Sequence, residues 1–239
     1  MKLFGRDTVY SPGQKIGAYT VKKITGEGRY GICYLVNDER QQYIIKQLKR
    51  YMLKKSKTKV GFEQEILSSL DHEEVPRFIR KLEDNGLYGY LLEYKEGTTF
   101  EDLIYSENRV FPKIEIQEIG IQLISILKCL HQSGIVHRDI RVPNALYNNR
   151  KVYLVDFGLA RWVDEFKYRP DVDFAYLGDF LLHLYYTSYE NDGKKKKPWH
   201  QELNLREDEM LFLKRLMGIE KKYRHIDEVE HDFLTIIGN

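Results

Sequence analysis

The sequence predicts an α+β fold in two lobes: a small antiparallel sheet lobe with one helix over residues 1–94, and a larger, mainly helical lobe over 95–239. Three observations predict it. Between Gln14 and Tyr94, short apolar runs rich in β-branched and aromatic residues (AYTVKKI, ICYLV, QYIIKQL, LYGYLLEY) alternate with Gly, Asn and Asp turns, the pattern of an antiparallel sheet. From Thr99 onward the apolar spacing is helical. The 239 residues, 42% hydrophobic and 31% charged, exclude a fibre or a disordered tail and leave room for a core in each lobe.

The elements follow in order. Inside the sheet lobe, Val60, Ile66, Leu67 and Leu70 recur at helical spacing with Glu63 and Glu65 between them, predicting a helix over 57–70. A short connector is expected at 93–97. The segment after Pro112 is apolar almost all round, with Glu115, Glu118, Gln122, Ser125 and Gln132 as one narrow polar stripe, so this helix is expected to be largely buried. Two short strands, ALYNN and KVYLVDF, follow the loop HRDIRVPN, and a second buried helix is expected over about 174–187. Glu207, Asp208 and Glu209 open a further helix, as the helix dipole favours, and Asp227 is expected to cap the last one. There is no internal repeat.

The 38 basic and 36 acidic side chains leave a formal charge of +2, so global charge argues for neither a nucleic-acid nor an anionic-membrane partner. Cys33 and Cys129 sit in apolar sequence without metal-ligand spacing, which encodes neither a disulfide framework nor a zinc site and fits a reducing cytoplasm. The first residues lack the apolar core of a signal peptide, and Gln122, Lys128, Asp179 and His183 interrupt the richest apolar stretches, so no membrane span is expected.

Gly26, Gly28 and Gly31 form GEGRYG between two expected strands. Such a hairpin lets backbone N–H groups approach phosphate oxygens without Cβ obstruction, although an ordinary glycine-rich hairpin reads the same way. Lys46 closes the run YIIK, where a cation can point back under the hairpin, and Glu63 on the following helix is placed to reach it. Taken singly, these two read first as a surface lysine and a solvated helix face. The segment HRDIRVPN adds Asp139 in a loop and Asn144 five residues later, and Asp156 opens DFGLA after VYLV. Two separated carboxylates and a carboxamide suit one base and a pair of Mg²⁺ sites, because Mg²⁺ takes few protein oxygens and completes its shell from substrate phosphates.

With these residues in this order, the chain resembles the eukaryotic-type (Hanks-type) protein kinase family, as a compact, bacterial-style serine/threonine member. The resemblance runs over about 15–233. LLEYKEGTTFEDL resembles the hinge and its following helix, ILKCLHQSGIVHRD the long helix entering the catalytic loop, and DFAYLGDFLLHLYYT the organising helix of the large lobe, with Asp173 and Gly178 in place. FLKRLMGIEKKYRHIDEVEHDF is similar to the closing helices, with Arg224 at the position of the family's structural arginine.

The resemblance implies one kinase domain over 1–239 that uses ATP and Mg²⁺ to phosphorylate Ser or Thr hydroxyls of a protein substrate. It implies that Lys46, held by Glu63, contacts the α- and β-phosphates under Gly26, Gly28 and Gly31. Asp139 would orient the substrate hydroxyl, Arg141 would meet the γ-phosphate, and Asn144 and Asp156 would hold Mg²⁺. The backbone at Glu93 and Lys95, with Ile44 and Leu146, would meet adenine, and Leu92 would be the gatekeeper. Two other classes fit the same residues: a pseudokinase acting as a nucleotide-responsive binding module, and a small-molecule kinase on this fold.

Several positions depart from the family pattern. Ile44 stands where alanine is usual, Cys33 where valine is usual, and Arg141 where lysine is usual. The stretch from Asp156 to Asp173 is only DFGLARWVDEFKYRPDVD, with most of the activation segment missing, no Ser or Thr, and Tyr168 as its one hydroxyl. Two basic runs remain. One is bounded by Lys49 and Lys59, and the other is KKKK at 194–197. Both read as solvated faces or as contacts for a polyanion or acidic partner.

Overall fold

The computed structural model describes residues 7–55, 57–84, 86–164, 166–190 and 197–238. The chain divides into two compact units, residues 1–95 and 96–239. In the first, strands β1 (Lys15–Ile16), β2 (Tyr19–Glu27), β3 (Gly31–Asn37) and β4 (Gln42–Leu48) lead to helices α1 (Arg50–Lys55) and α2 (Lys57–Ser69), then to β5 (Phe78–Asp84) and β6 (Leu87–Glu93). The strands form one sheet in the order β1-β2-β3-β4-β6-β5, antiparallel throughout. Where one helix was expected there are two. The extra helix, RYMLKK, is too short to show an apolar period and buries Met52 as its anchor.

Strand alternation sorts the sheet into two faces. Ile32, Tyr34, Val36, Ile45 and Leu91 join Ile16, Tyr19, Val21, Leu82 and Leu87 in a buried cluster. The opposite face carries Cys33 across from Lys46, Leu35 across from Ile44, Lys46 across from Tyr90, and Ile44 across from Leu92. Two glycines allow this close pairing: a Cβ at Gly31 would lie 2.3 Å from the Gln47 carbonyl oxygen, and one at Gly89 2.3 Å from that of Lys46.

Residues 7–10 are tied into the same unit. Asp7 Oδ1 accepts from the Arg50 N–H at 2.9 Å, Gln47 Nε2 donates to the Thr8 carbonyl at 3.0 Å, and the Tyr34 hydroxyl donates to Gln47 Oε1 at 2.9 Å. The Tyr10 ring meets Tyr34 edge-on.

The second unit contains β7 (Thr98–Thr99), a single π-helical turn (Asp102–Ser106), α3 (Lys113–Gln132), β8 (Ile135–Val136), β9 (Ala145–Asn148), β10 (Lys151–Leu154) and β11 (Arg161–Trp162). Helices α4 (Asp171–Tyr186), α5 (Trp199–Glu202), α6 (Glu207–Leu216) and α7 (Ile226–Gly238) complete it. Thr99, from which helical spacing was expected, lies in a strand instead: Thr98 and Thr99 pair with Tyr147 and Leu146 of β9. The β9–β10 hairpin turns on Asn149 and Arg150, both at positive φ, as a two-residue type I′ turn demands.

α3 is buried along Ile116, Ile119, Leu123, Ile126, Leu127 and Leu130 and packs against α4 and α7. Glu115, expected in its polar stripe, is buried instead. Its carboxylate accepts from Arg109 Nη2 at 2.5 Å and from the Tyr147 hydroxyl at 2.6 Å, and burial together with this carboxylate pushes the tyrosine up to about 12. Asp227 lies inside the first turn of α7 rather than at its cap, a position the helix dipole still favours. Positions 194–196 of the second basic run, Ser56, and the side chains of 54–60 in the first lie outside the described residues. No helix among the described residues is long and apolar enough to cross a membrane.

Gly120 in mid-α3 faces the Phe233 ring of α7: an added Cβ would lie 2.4 Å from its Cζ. That ring is buried and stacked near Phe212 at 5.1 Å, so it has little room to yield. Gly120→Ala is expected to lower unfolding stability by about 1–3 kcal/mol through overpacking, despite the better helix propensity of alanine. In urea denaturation, Phe233→Leu should cost less in the Gly120→Ala background than alone.

Candidate active site

In the first unit, Lys46 and Glu63 form a buried ion pair. Lys46 Nζ lies 2.7 Å from Glu63 Oε1 and 2.8 Å from Oε2, and both side chains are almost fully covered. Removing two charges from water costs several kcal/mol per ion unless geometry and further hydrogen bonds offset it. Here the ammonium meets both carboxylate oxygens, and the Tyr90 hydroxyl donates to Glu63 Oε2. Burial, with the Glu63 charge, pushes the Tyr90 phenol well above its ordinary range, so it remains a donor. The sequence analysis missed Tyr90, because its place directly across from Lys46 is set by strand register, which the residue pattern alone does not give.

The glycine hairpin sits where β2 meets β3. The Gly28 N–H closes it on the Gly31 carbonyl at 3.0 Å, and Cβ positions at Gly26 and Gly28 face open space. Its tip is tied down by the Lys49 N–H to the Tyr30 carbonyl at 3.0 Å and by the Tyr51 hydroxyl to the Arg29 carbonyl. Ile44 lies on the same sheet face as Lys46, next to Leu92 on β6. At the end of β6, Glu93 pairs with Lys95 at 2.9 Å and Arg77 at 3.2 Å. Partial burial works to raise the Glu93 carboxyl, but these cations and the Arg77 N–H outweigh it and hold the group below the usual carboxylate range.

In the second unit, the loop between β8 and β9 hangs on Asp173 of α4. This carboxylate is fully buried. It accepts from the main-chain N–H of His137 at 2.9 Å and of Arg138 at 2.6 Å, and His131 Nε2 lies 3.0 Å away. The loop then presents Asp139, with Arg141 Nε 2.6 Å from Oδ1 and Nη2 3.3 Å from Oδ2. Asn144 Nδ2 donates to Asp139 Oδ2 at 2.8 Å and to its carbonyl at 2.9 Å. The carboxamide oxygen is therefore the atom Asn144 could offer to a cation.

Asp156 is reached through the backbone. The Val155 N–H donates to the Asn144 carbonyl at 2.9 Å, and Asp156 follows in the left-handed region at φ 59°, its Oδ1 accepting from Gly158 N–H at 3.3 Å. Phe157 is buried edge-on to His137 at 4.6 Å. Burial lowers the His137 pKa against the pull of Asp173, Asp156 and Asp139, which keeps the ring neutral.

Thus the structure brings Asp139, Arg141 and Asn144 together, and joins Asp156 to them through the main chain. Leu146 follows on β9, with its Cβ 3.1 Å from where a Gly97 Cβ would sit. Arg224 is exposed, and its N–H donates to Glu228 at 3.1 Å. Among the described residues no group of three or more His, Cys, Asp or Glu side chains forms a metal cage. Asn144 and Asp156 are a sparse oxygen donor set, which suits an ion that keeps water and phosphate oxygens in its shell.

Residues 19–190 match the sequence model of the protein kinase domain. The chain is 37% identical over 223 residues to the Bacillus subtilis protein named "Probable serine/threonine-protein kinase YbdM", covering 90% of this chain and 87% of that one. It is 28% identical over 239 residues to the "Probable casein kinase II subunit alpha homolog" of Encephalitozoon cuniculi, covering 88% of this chain and 68% of that one. Against the Caenorhabditis elegans "Serine/threonine-protein kinase nekl-2" it is 29% identical over 158 residues, and the match spans 44% of that longer protein. With the domain match covering most of its length, this chain belongs to the protein kinase family.

Proposed function

We propose that residues 1–239 act as one kinase domain, with 1–94 as its N-lobe and 95–239 as its C-lobe, and that it transfers the γ-phosphoryl group of ATP to Ser or Thr hydroxyls of proteins. The observation that carries this reading is the Asp139 carboxylate: buried, gripped by Arg141 and Asn144, on a loop suspended from Asp173. Similarity over 90% of this chain to a protein named as a probable serine/threonine kinase supports the acceptor class.

In this reading Lys46 neutralises phosphate charge, and Glu63 with Tyr90 keeps its ammonium in one place. Mg²⁺, held by Asn144 and Asp156, would neutralise charge on the phosphates. Asp139 orients the acceptor hydroxyl and receives its proton as the oxygen attacks the γ-phosphorus and the bond to the β-phosphate oxygen breaks, releasing ADP. Arg141, already paired with Asp139, offers a planar cation for a γ-phosphate oxygen. Little covalent work is left to the protein, so positioning and electrostatics supply the rate. Ile44 and Leu146 give apolar contact to adenine, and the backbone at Glu93 and Lys95 its polar edge.

Incubation with labelled ATP and Mg²⁺ and a generic protein acceptor tests the reading. Asp139→Asn should keep nucleotide affinity while transfer falls by about 10²- to 10⁴-fold, the range of general-base losses. A wild type as inactive as this variant would point to the pseudokinase class instead, and label appearing only on small acceptors to a small-molecule kinase. Lys46→Ala and Asp156→Ala should each impair ATP·Mg²⁺ use, and unchanged turnover in both would remove the nucleotide assignment.

Tyr90→Phe deletes one charged-group hydrogen bond inside the Lys46–Glu63 pair. It is expected to cost about 1–2 kcal/mol of stability, seen as a lower unfolding midpoint, and to raise the KM for ATP less than Lys46→Ala does.

A further inference from the structure

Between Asp156 and Asp173, Tyr168 bears the only hydroxyl. Its ring meets the guanidinium of Arg138, whose Cζ lies 4.7 Å from the ring centroid. Arg138 Nη1 also donates to the Leu159 carbonyl at 3.1 Å. Arg138 directly precedes Asp139, and its backbone sits at φ 67°, a conformation a long side chain adopts only when its surroundings hold it there. Asp173 holds the N–H of this residue. Leu159 and Tyr168 hold its side chain.

Tyr168 is itself fixed. Asp164 Oδ1 accepts from the main-chain N–H groups of Phe166, Lys167 and Tyr168, and the Asp164 N–H donates to the Tyr168 carbonyl at 3.1 Å. With its backbone held in this way, the tyrosine presents its ring to Arg138 and, at 5.1 Å, to Lys167. The arginine beside Asp139 therefore has a π-face as partner, supplied by the folded chain without any modification.

We propose that Tyr168 is a positioning residue for phosphoryl transfer: its ring, rather than its hydroxyl or a phosphate placed on it, holds Arg138 and through it the backbone that carries Asp139. The inference deepens the proposed function and rests on it for its catalytic part. The ring lacks the strength of a charge-assisted phosphate pair, but it is always present. Activity should therefore need no phosphate on this segment.

The test compares wild type, Tyr168→Phe and Tyr168→Leu, each treated with phosphatase, by steady-state kinetics and by hydrogen exchange of the amides in 137–144. Tyr168→Phe, which keeps the ring, should hold kcat within about twofold. Tyr168→Leu should lose about 3- to 30-fold in kcat, the worth of a partly desolvated cation–π contact, with the KM for ATP little changed and faster exchange in the loop. In an Arg138→Met background, Tyr168→Leu should add no further loss, because residues that act through one contact are non-additive. A Phe variant as impaired as Leu would overturn the proposal in favour of the hydroxyl. A Leu variant matching wild type in both kcat and exchange would also overturn it. If the exchange contrast holds while wild type transfers no phosphate, the proposed function fails and the positioning role stands.

Discussion

A single buried carboxylate sets the geometry of the larger unit. Asp173 has no contact with water, and its charge is tolerated because two main-chain N–H groups and a histidine nitrogen converge on it at the start of α4. Those N–H groups belong to consecutive residues, so the carboxylate dictates the direction of the chain as it leaves β8. The positive φ of Arg138 follows from that demand, and Asp139 emerges one residue later. Helix α4 is itself fixed by burial of Phe174, Leu177, Phe180, Leu181 and Leu184. The precision of the loop thus derives from the hydrophobic core beneath it.

The smaller unit solves a similar problem differently. Its buried charge is a lysine on a strand, and the counter-ion comes from a helix. Such a pair does not stabilise a fold on balance, but loss of one partner strands the other. Strand register puts Tyr90 directly across from Lys46, and the glycines at 31 and 89 let β3 and β6 close on β4 at this point. Charge, hydrogen bond and backbone spacing therefore agree at one location, the consistency expected where a site must be held rather than merely present.

The sheet, the long helices and the two short strands β9 and β10 were legible because each shows its apolar pattern over several residues, while the tight turn joining β9 to β10 was not. Asp139, Asn144 and Asp156 were legible because their spacing forms a motif. α1 was not, since six residues with one buried anchor leave no period. β7 was missed because two threonines make a strand only when β9 offers them partners. Glu115 looked like part of a solvated stripe, and only the arrival of Arg109 and Tyr147 from elsewhere makes its burial affordable. The grip of Arg141 on Asp139 lies two residues apart in sequence, yet nothing in the residue types announces that both ends of the fork face the carboxylate.

The segment at 7–10 has a mechanical meaning. Asp7 holds the first N–H of α1, Thr8 holds Gln47, and Tyr10 rests on Tyr34, whose hydroxyl binds Gln47 in turn. Gln47 is the immediate neighbour of Lys46, and α1 leads directly into the helix carrying Glu63. A tension applied to this segment would therefore reach Lys46 through the adjacent Gln47, and Glu63 through α1 and the helix that follows it.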